Sequence, residues 1–242
     1  MRLILAITSL ILLTTLAAAY TDHSLVTLID FKPDGSAKVT EKITVTFDSD
    51  AERESFSDAM ANPSSQSTIV GWKKFSKSVE YHVAGVIPGS TRITAKRDFT
   101  ISYPAGNIIV EYDTLPIAIV SQPSSRVTRY TFNGTGLNFK RLQTGQVILG
   151  QSIRLAFRIP SEARFTNINP QSDEVTKNTA SFLGPLSAKF SVEFEIEKSL
   201  SQEVSDFFAD LTTNTVNLVP ILLALAFITF FAYKLLSPKQ ED

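Results

Sequence analysis

Two histidines, His23 and His82, are the only imidazoles in the chain. A zinc centre or a Ser-His-Asp triad needs a histidine with partners at hand. His23 follows Asp22 near the chain start, and His82 sits in a strand-like "EYHV"; both are expected as surface residues. Carboxylates cluster at Asp173-Glu174 and at Glu193, Glu195 and Glu197. A glycosidase would set two such groups across a cleft and raise the pKa of one. Alternate glutamates on a strand are more simply its solvated face. The chain contains no cysteine, which excludes thiol catalysis, cysteine-held zinc and iron–sulfur ligation. It has no Gly-rich phosphate loop and no nucleophile elbow. No catalytic, cofactor-binding or metal residue is therefore assigned, and no cofactor is expected.

One stretch is less ordinary. "FNGTGLNFKRLQTGQVILG" carries the sequon Asn133-Gly134-Thr135, a candidate glycosylation site at Asn133, whereas Asn62 is followed by proline. It also combines Leu137 and Phe139 with Lys140 and Arg141. This aromatic and basic mixture suits a partner-binding loop, or equally a long hairpin tucked onto the domain.

The elements that must position these residues are mostly strands. Val39, Glu41, Ile43, Val45 and Phe47 alternate with Lys38, Thr40, Lys42, Thr44 and Thr46, the period of a strand with one buried face. The preceding "KPDGSA" is a turn in which Pro fixes φ and Gly accepts positive φ, so residues 24–47 read as a hairpin. Ser49 with Glu52 forms a capping box opening a helix. Ile69, Trp72, Phe75 and Val79 recur at helical spacing, though a strand start fits them as well, and residues 49–76 together form a helical insertion. Alternation then continues through Ile93 to Tyr103, Ile153 to Ile159 and Phe190 to Ile196. Strands with one polar face and Pro/Gly turns predict a mainly β fold, an antiparallel β-sandwich, immunoglobulin-like in a broad sense. The count of 17 Phe against one Trp and two Met suits such a core.

The two ends differ from the rest. Arg2, an apolar run from Leu3 to Leu16 and Ala17-Ala18-Ala19 have the form of a signal peptide over residues 1–19, cut between Ala19 and Tyr20. Near the other end, Leu211 to Tyr233 contain no charge and are apolar all round. A transmembrane helix needs roughly 20 apolar residues to cross a core of ~30 Å, so residues 214–236 are expected to span the membrane. Ser199 to Leu211 place Val204, Phe207, Phe208 and Leu211 on one side, predicting a juxtamembrane amphipathic helix over 199–213. Lys234 and Lys239 follow the span, and positive charge stays cytoplasmic. The expected order is an extracytoplasmic domain over 20–198, one anchor, and a cytoplasmic tail over 237–242. A net charge of −1 leaves no basic footprint for nucleic acid.

"DGSAKVTEKITVTF", "YTFNGTGLNF", "IPSEARFTNINP" and "LGPLSAKFSVEFE" together give the chain a layout that resembles an uncharacterised, mainly archaeal family of membrane-anchored proteins with a β-rich exterior domain. The resemblance implies architecture and topology and supplies no catalytic residue. The functional expectation is a non-catalytic cell-surface module that meets a protein partner outside. An outer-face hydrolase using carboxylates and a ligand-binding subunit of a membrane complex stand as the alternatives.

Overall fold

The structure, a computed structural model, describes residues 20–62, 68–99 and 103–199, then 201, 203–205, 209, 223 and 226–229. These fall into two compact units, one within residues 1–123 and 128–196, the other within 124–127 and 197–242.

The first unit is mainly β. Strands β1 (Thr21–Phe31) and β2 (Ala37–Thr46) form the expected hairpin, paired from Thr21 opposite Thr46 to Phe31 opposite Ala37. Their turn works through Gly35 at φ +82° and through the Asp34 carboxylate, which accepts from the backbone N–H and the hydroxyl of Ser36. Those two bonds hold the Asp34 carboxyl below the usual carboxylate range.

Helix α1 (Asp50–Ala61) follows. Ser49 caps it by accepting from the Glu52 N–H at 3.2 Å, and the Glu52 carboxylate turns back to accept from Asp48 N–H at 2.8 Å. One orphan donor of the first turn and the approach to the helix are thereby satisfied together. Of the ambiguous 69–79 stretch only one turn is helical, α2 (Ile69–Trp72).

The remaining strands are β3 (Arg92–Asp98), β4 (Ala105–Asp113), β5 (Ile119–Ser121), β6 (Val127–Asn133), β7 (Val147–Leu149), β8 (Ile153–Arg158), β9 (Ala163–Asn169), β10 (Glu174–Val175), β11 (Thr179–Leu183), β12 (Leu186–Ala188) and β13 (Ser191–Glu197). They build a seven-stranded sheet in the order β10-β11-β8-β1-β2-β4-β3, a four-stranded sheet β5-β6-β13-β9, and the pair β12-β7.

The large sheet departs from expectation at its centre: β1 and β8 run parallel, from Leu25 beside Ile153 to Asp30 beside Arg158. Alternation specifies which face a side chain takes, not which way a neighbouring strand runs. A parallel neighbour needs a long connection, and residues 32–152 supply it. The fold is thus mixed, not purely antiparallel.

Half of the large sheet's inner face meets the four-stranded sheet through phenylalanines. The Phe31 ring lies 5.6 Å from Phe132, 5.2 Å from Phe194 and 6.3 Å from Phe157. Tyr130 stacks on Phe194 at 4.7 Å. The other half is covered by α1, α2 and the turns after them, where Phe56 packs on Phe47, Trp72 and Phe75 at 5.1 to 5.8 Å. Offset and edge-on contacts of this kind add to simple burial.

In the second unit, Ser201, 203–205 and Ala209 are helical, and Arg126 pairs with Glu203 at 3.2 Å. Among the described residues no helix is long and apolar enough to cross a membrane. The expected signal peptide over 1–19 lies outside the described residues, and so does most of the 214–236 segment expected to span the membrane.

Candidate functional site

The densest polar arrangement in the first unit is one the sequence did not single out. Glu41 belongs to the core-facing phase of β2, between Val39 and Ile43, and is fully buried. A carboxylate there is tolerable only with donors around it. Three reach it. The His82 backbone N–H donates to Oε1 at 2.9 Å, the Tyr112 hydroxyl donates to the same oxygen at 2.5 Å, and His82 Nδ1 sits 2.8 Å from Oε2. Tyr112, on the inward phase of β4, also accepts from the Val83 N–H at 3.1 Å.

The expectation of a surface histidine fails at His82, which is only 5 % exposed. The reason is Glu41: a buried acid on an apolar strand face draws the segment that can satisfy it. Glu41 within the Val39–Phe47 alternation was the available signal.

Burial first, then the charge of Glu41, push the Tyr112 phenol far above its ordinary value. Tyr112 therefore stays a hydrogen-bond donor. An imidazole oriented by a carboxylate is the geometry that activates a nucleophile in hydrolytic triads, but among the described residues no hydroxyl nucleophile bonds the other ring nitrogen. Nε2 of His82 faces Glu80 at 3.7 Å, and the Phe139 ring covers the imidazole at 4.7 Å. Asn138 and Ala84 close the neighbourhood with backbone bonds to the His82 and Gly136 carbonyls, both 2.8 Å. The arrangement works as a latch that fixes residues 80–84 against the sheet. Thr27, directly opposite Glu41 in register, buries a hydroxyl that has no hydrogen-bond partner among the described residues.

Of the loop Leu137, Phe139, Lys140 and Arg141, the first two are buried, Leu137 bridging to Val83 and Phe139 lying on His82. Lys140 and Arg141 are exposed. The Arg141 guanidinium is occupied by backbone: it donates to the carbonyls of Gly134, Thr135, Leu137 and Gly145. These contacts tuck the segment onto the domain.

Asn133 is exposed, and its side-chain oxygen accepts from both the N–H and the hydroxyl of Thr135. His23 is exposed, edge-on to Tyr103 at 6.5 Å. Tyr20 is the first described residue, and Ala19 lies outside.

The carboxylates do not converge. Glu195, expected on a solvated face, is mostly buried between Arg129 at 2.8 Å and Arg164 at 3.5 Å. Hydrogen bonding from Arg129 holds its carboxyl below the usual range. Glu195 keeps the outer phase of β13, opposite to inward Val192 and Phe194, and is covered there by the exposed side chains of Arg129 and Arg164. Asp173 accepts from the Leu183 N–H, and Glu174 pairs with Arg154. Among the described residues, no three histidine or acidic side chains are grouped as metal ligands would be.

No protein-family profile matches the chain. No curated protein matches it either. Among solved structures it is similar to the folded domain of the Mycobacterium tuberculosis protein LppM, determined by NMR, with 11 % identity. The match covers 75 % of this chain and 95 % of that one at a TM-score of 0.30. A score that low does not establish a common fold.

Proposed function

We propose that the chain is a membrane-anchored, extracytoplasmic, non-catalytic interaction module, a β-sandwich in the broad sense whose partner is another protein. Residues 1–19 act as a signal peptide cleaved after Ala19, residues 214–236 as the single span, and residues 237–242 as a cytoplasmic tail. Asn133 is the residue that would carry a glycan.

The observation that carries the interaction reading is the edge of the four-stranded sheet. Strand β5 is terminal in that sheet. All three of its residues are exposed, with Ile119 at 64 %, and Leu115 just before it is 57 % exposed. An open strand edge with apolar side chains is a template for an added strand. The partner contact accordingly moves from the loop at 137–141, whose apolar residues are inside, to Leu115, Ile119 and Val120.

The test is recovery of the full chain from native membranes in a gentle detergent, with mass spectrometry of what accompanies it. A stoichiometric partner lost on the I119K/V120K double substitution supports the reading. Recovery of the protein alone, under conditions that preserve other complexes, overturns it. Intact mass of the same sample reports both cleavage at Ala19–Tyr20 and any glycan that N133Q removes.

A further inference from the structure

One end of the seven-stranded sheet combines features that the rest of the first unit lacks. Register places Thr21 opposite Thr46, Thr46 opposite Ala105, and Ala105 opposite Asp98. The start of β1 and the turn end of the β3–β4 hairpin therefore lie together, with Tyr20 packed on Phe47 and Phe75. The helical layer is attached at this end too, through Phe47 on Phe56 and Phe56 on Trp72.

Among the described residues of the first unit, the two most exposed large apolar side chains are Phe99 at 85 %, just after β3, and Val70 at 77 %, in α2. Tyr103, on the other arm of the hairpin, is 60 % exposed. Leaving a phenylalanine in water forgoes roughly 2 kcal/mol of burial, and none of the described residues of the unit covers Phe99.

Cations accompany these residues. Two grooves open here. One, of about 330 Å³, is lined by Arg53, Arg97, Phe99 and Tyr103. The other, of about 380 Å³, is lined by Tyr20, Lys73, Lys74 and Lys77. Lys73, Lys74 and Lys77 are all exposed. Acids in the groove walls are Asp22, bonded to the Ser78 hydroxyl, and Asp98, which is buried and bonded to Asn107. Asp50, on the adjoining helix, pairs with Arg53 at 2.7 Å. Lys73 and Lys77 have no ion pair among the described residues, and the exposed Lys74 sets its ammonium over the Phe75 ring at 4.7 Å.

We infer that this end of the sheet is a docking surface for an anionic phospholipid bilayer, with Phe99, Tyr103 and Val70 seating at the headgroup–acyl boundary and Lys73, Lys74 and Lys77 meeting the phosphates. Aromatic and apolar tips flanked by lysine are what an interface between water and hydrocarbon selects. Basic residues near an anionic leaflet are attracted over about a Debye length. The inference rests on the anchored reading above, because a tethered domain needs only weak affinity to stay seated: the tether fixes a high effective concentration of bilayer.

The absence of native cysteine makes the test direct. Full-length chains carrying F99C, or V175C as a control on the exposed strand β10, are labelled with an environment-sensitive fluorophore. They are reconstituted into vesicles of phosphatidylcholine alone or of an equimolar mixture with phosphatidylglycerol. The expected result is a blue-shifted label at position 99, quenched by doxyl-labelled lipid in the anionic vesicles, with position 175 solvent-like in both. The triple reversal K73E/K74E/K77E should lower that quenching severalfold without changing the far-ultraviolet circular dichroism.

A solvent-like label at position 99 in protein that co-floats with anionic vesicles overturns the inference and leaves the anchor standing. Equal quenching in neutral and anionic vesicles, unmoved by the lysine reversal, also overturns it. So does shielding of the label by a protein in lipid-free extract. Protein that fails to co-float with either vesicle sinks the anchored reading, and this inference with it.

Discussion

At the scale of single residues, the chain's buried polar groups are its most sensitive points. Replacing Glu41 by Ala strands the His82 and Tyr112 donors in the core. The loss should be about 3 to 5 kcal/mol, measured by urea unfolding, with E41Q much milder because it keeps the shape and one acceptor. Thr27→Val removes a buried hydroxyl that bonds none of the described residues and should raise stability by about 1 kcal/mol. A fall instead would show that this hydroxyl is satisfied. Glu195 gives a pH signature. Its folded-state carboxyl lies below its ordinary value because Arg129 donates to it. Its contribution is therefore present above the ordinary carboxylate range and lost as pH falls through the depressed value. Unfolding midpoints of R129A, followed from neutral pH downward, should decline less steeply in acid than those of the parent. Identical slopes would remove Glu195 from the account.

At the scale of elements, the join between α1 and β4 depends on one missing side chain. A Cβ on Gly106 would stand 2.6 Å from the ring of Phe56 and 3.0 Å from that of Phe47. Phe56 cannot swing aside, being fixed by Trp72 and Phe75. Gly106→Ala should cost about 1 to 3 kcal/mol and disturb the near-ultraviolet dichroism of the cluster, with partial rescue by F56L. Full stability in G106A would mean that α1 is free to shift. The hairpin of β1 and β2 and the cap at Ser49 were legible in the sequence because each is a local rule: a Pro-Asp-Gly turn, a period of two, a hydroxyl three residues before a glutamate. The centre of the large sheet was not legible, because the same alternation serves a parallel or an antiparallel neighbour. Nor was the fate of His82, which is decided by Glu41, far away in the chain and adjacent only once β2 and the 80–84 segment meet. The loop at 137–141 left two readings open, adhesive or tucked, for the same reason: nothing local says that Phe139 has an imidazole to lie on.

At the scale of the whole molecule, the two surfaces offered to the outside have different chemistry. The β5 edge is apolar and strand-like, and the far end of the large sheet is aromatic and cationic. Separate substitutions should therefore dissociate two behaviours: I119K/V120K should abolish partner recovery while leaving vesicle seating and melting temperature unchanged, measured on one preparation. Joint loss of both would mean that the edge variant had unfolded. The parallel pairing of β1 with β8 carries a further consequence, in time. During synthesis, β1 through β4 can assemble from the first 113 residues, but the flank of β1 that β8 will occupy stays uncovered until residues 153–158 arrive. That interval leaves an unpaired strand edge on a half-finished sheet, the state in which chains stick to one another. A truncated chain ending before Ile153 should aggregate where one ending after the β8–β11 hairpin does not, so the vulnerable stage of this protein's life is the wait for its own second half.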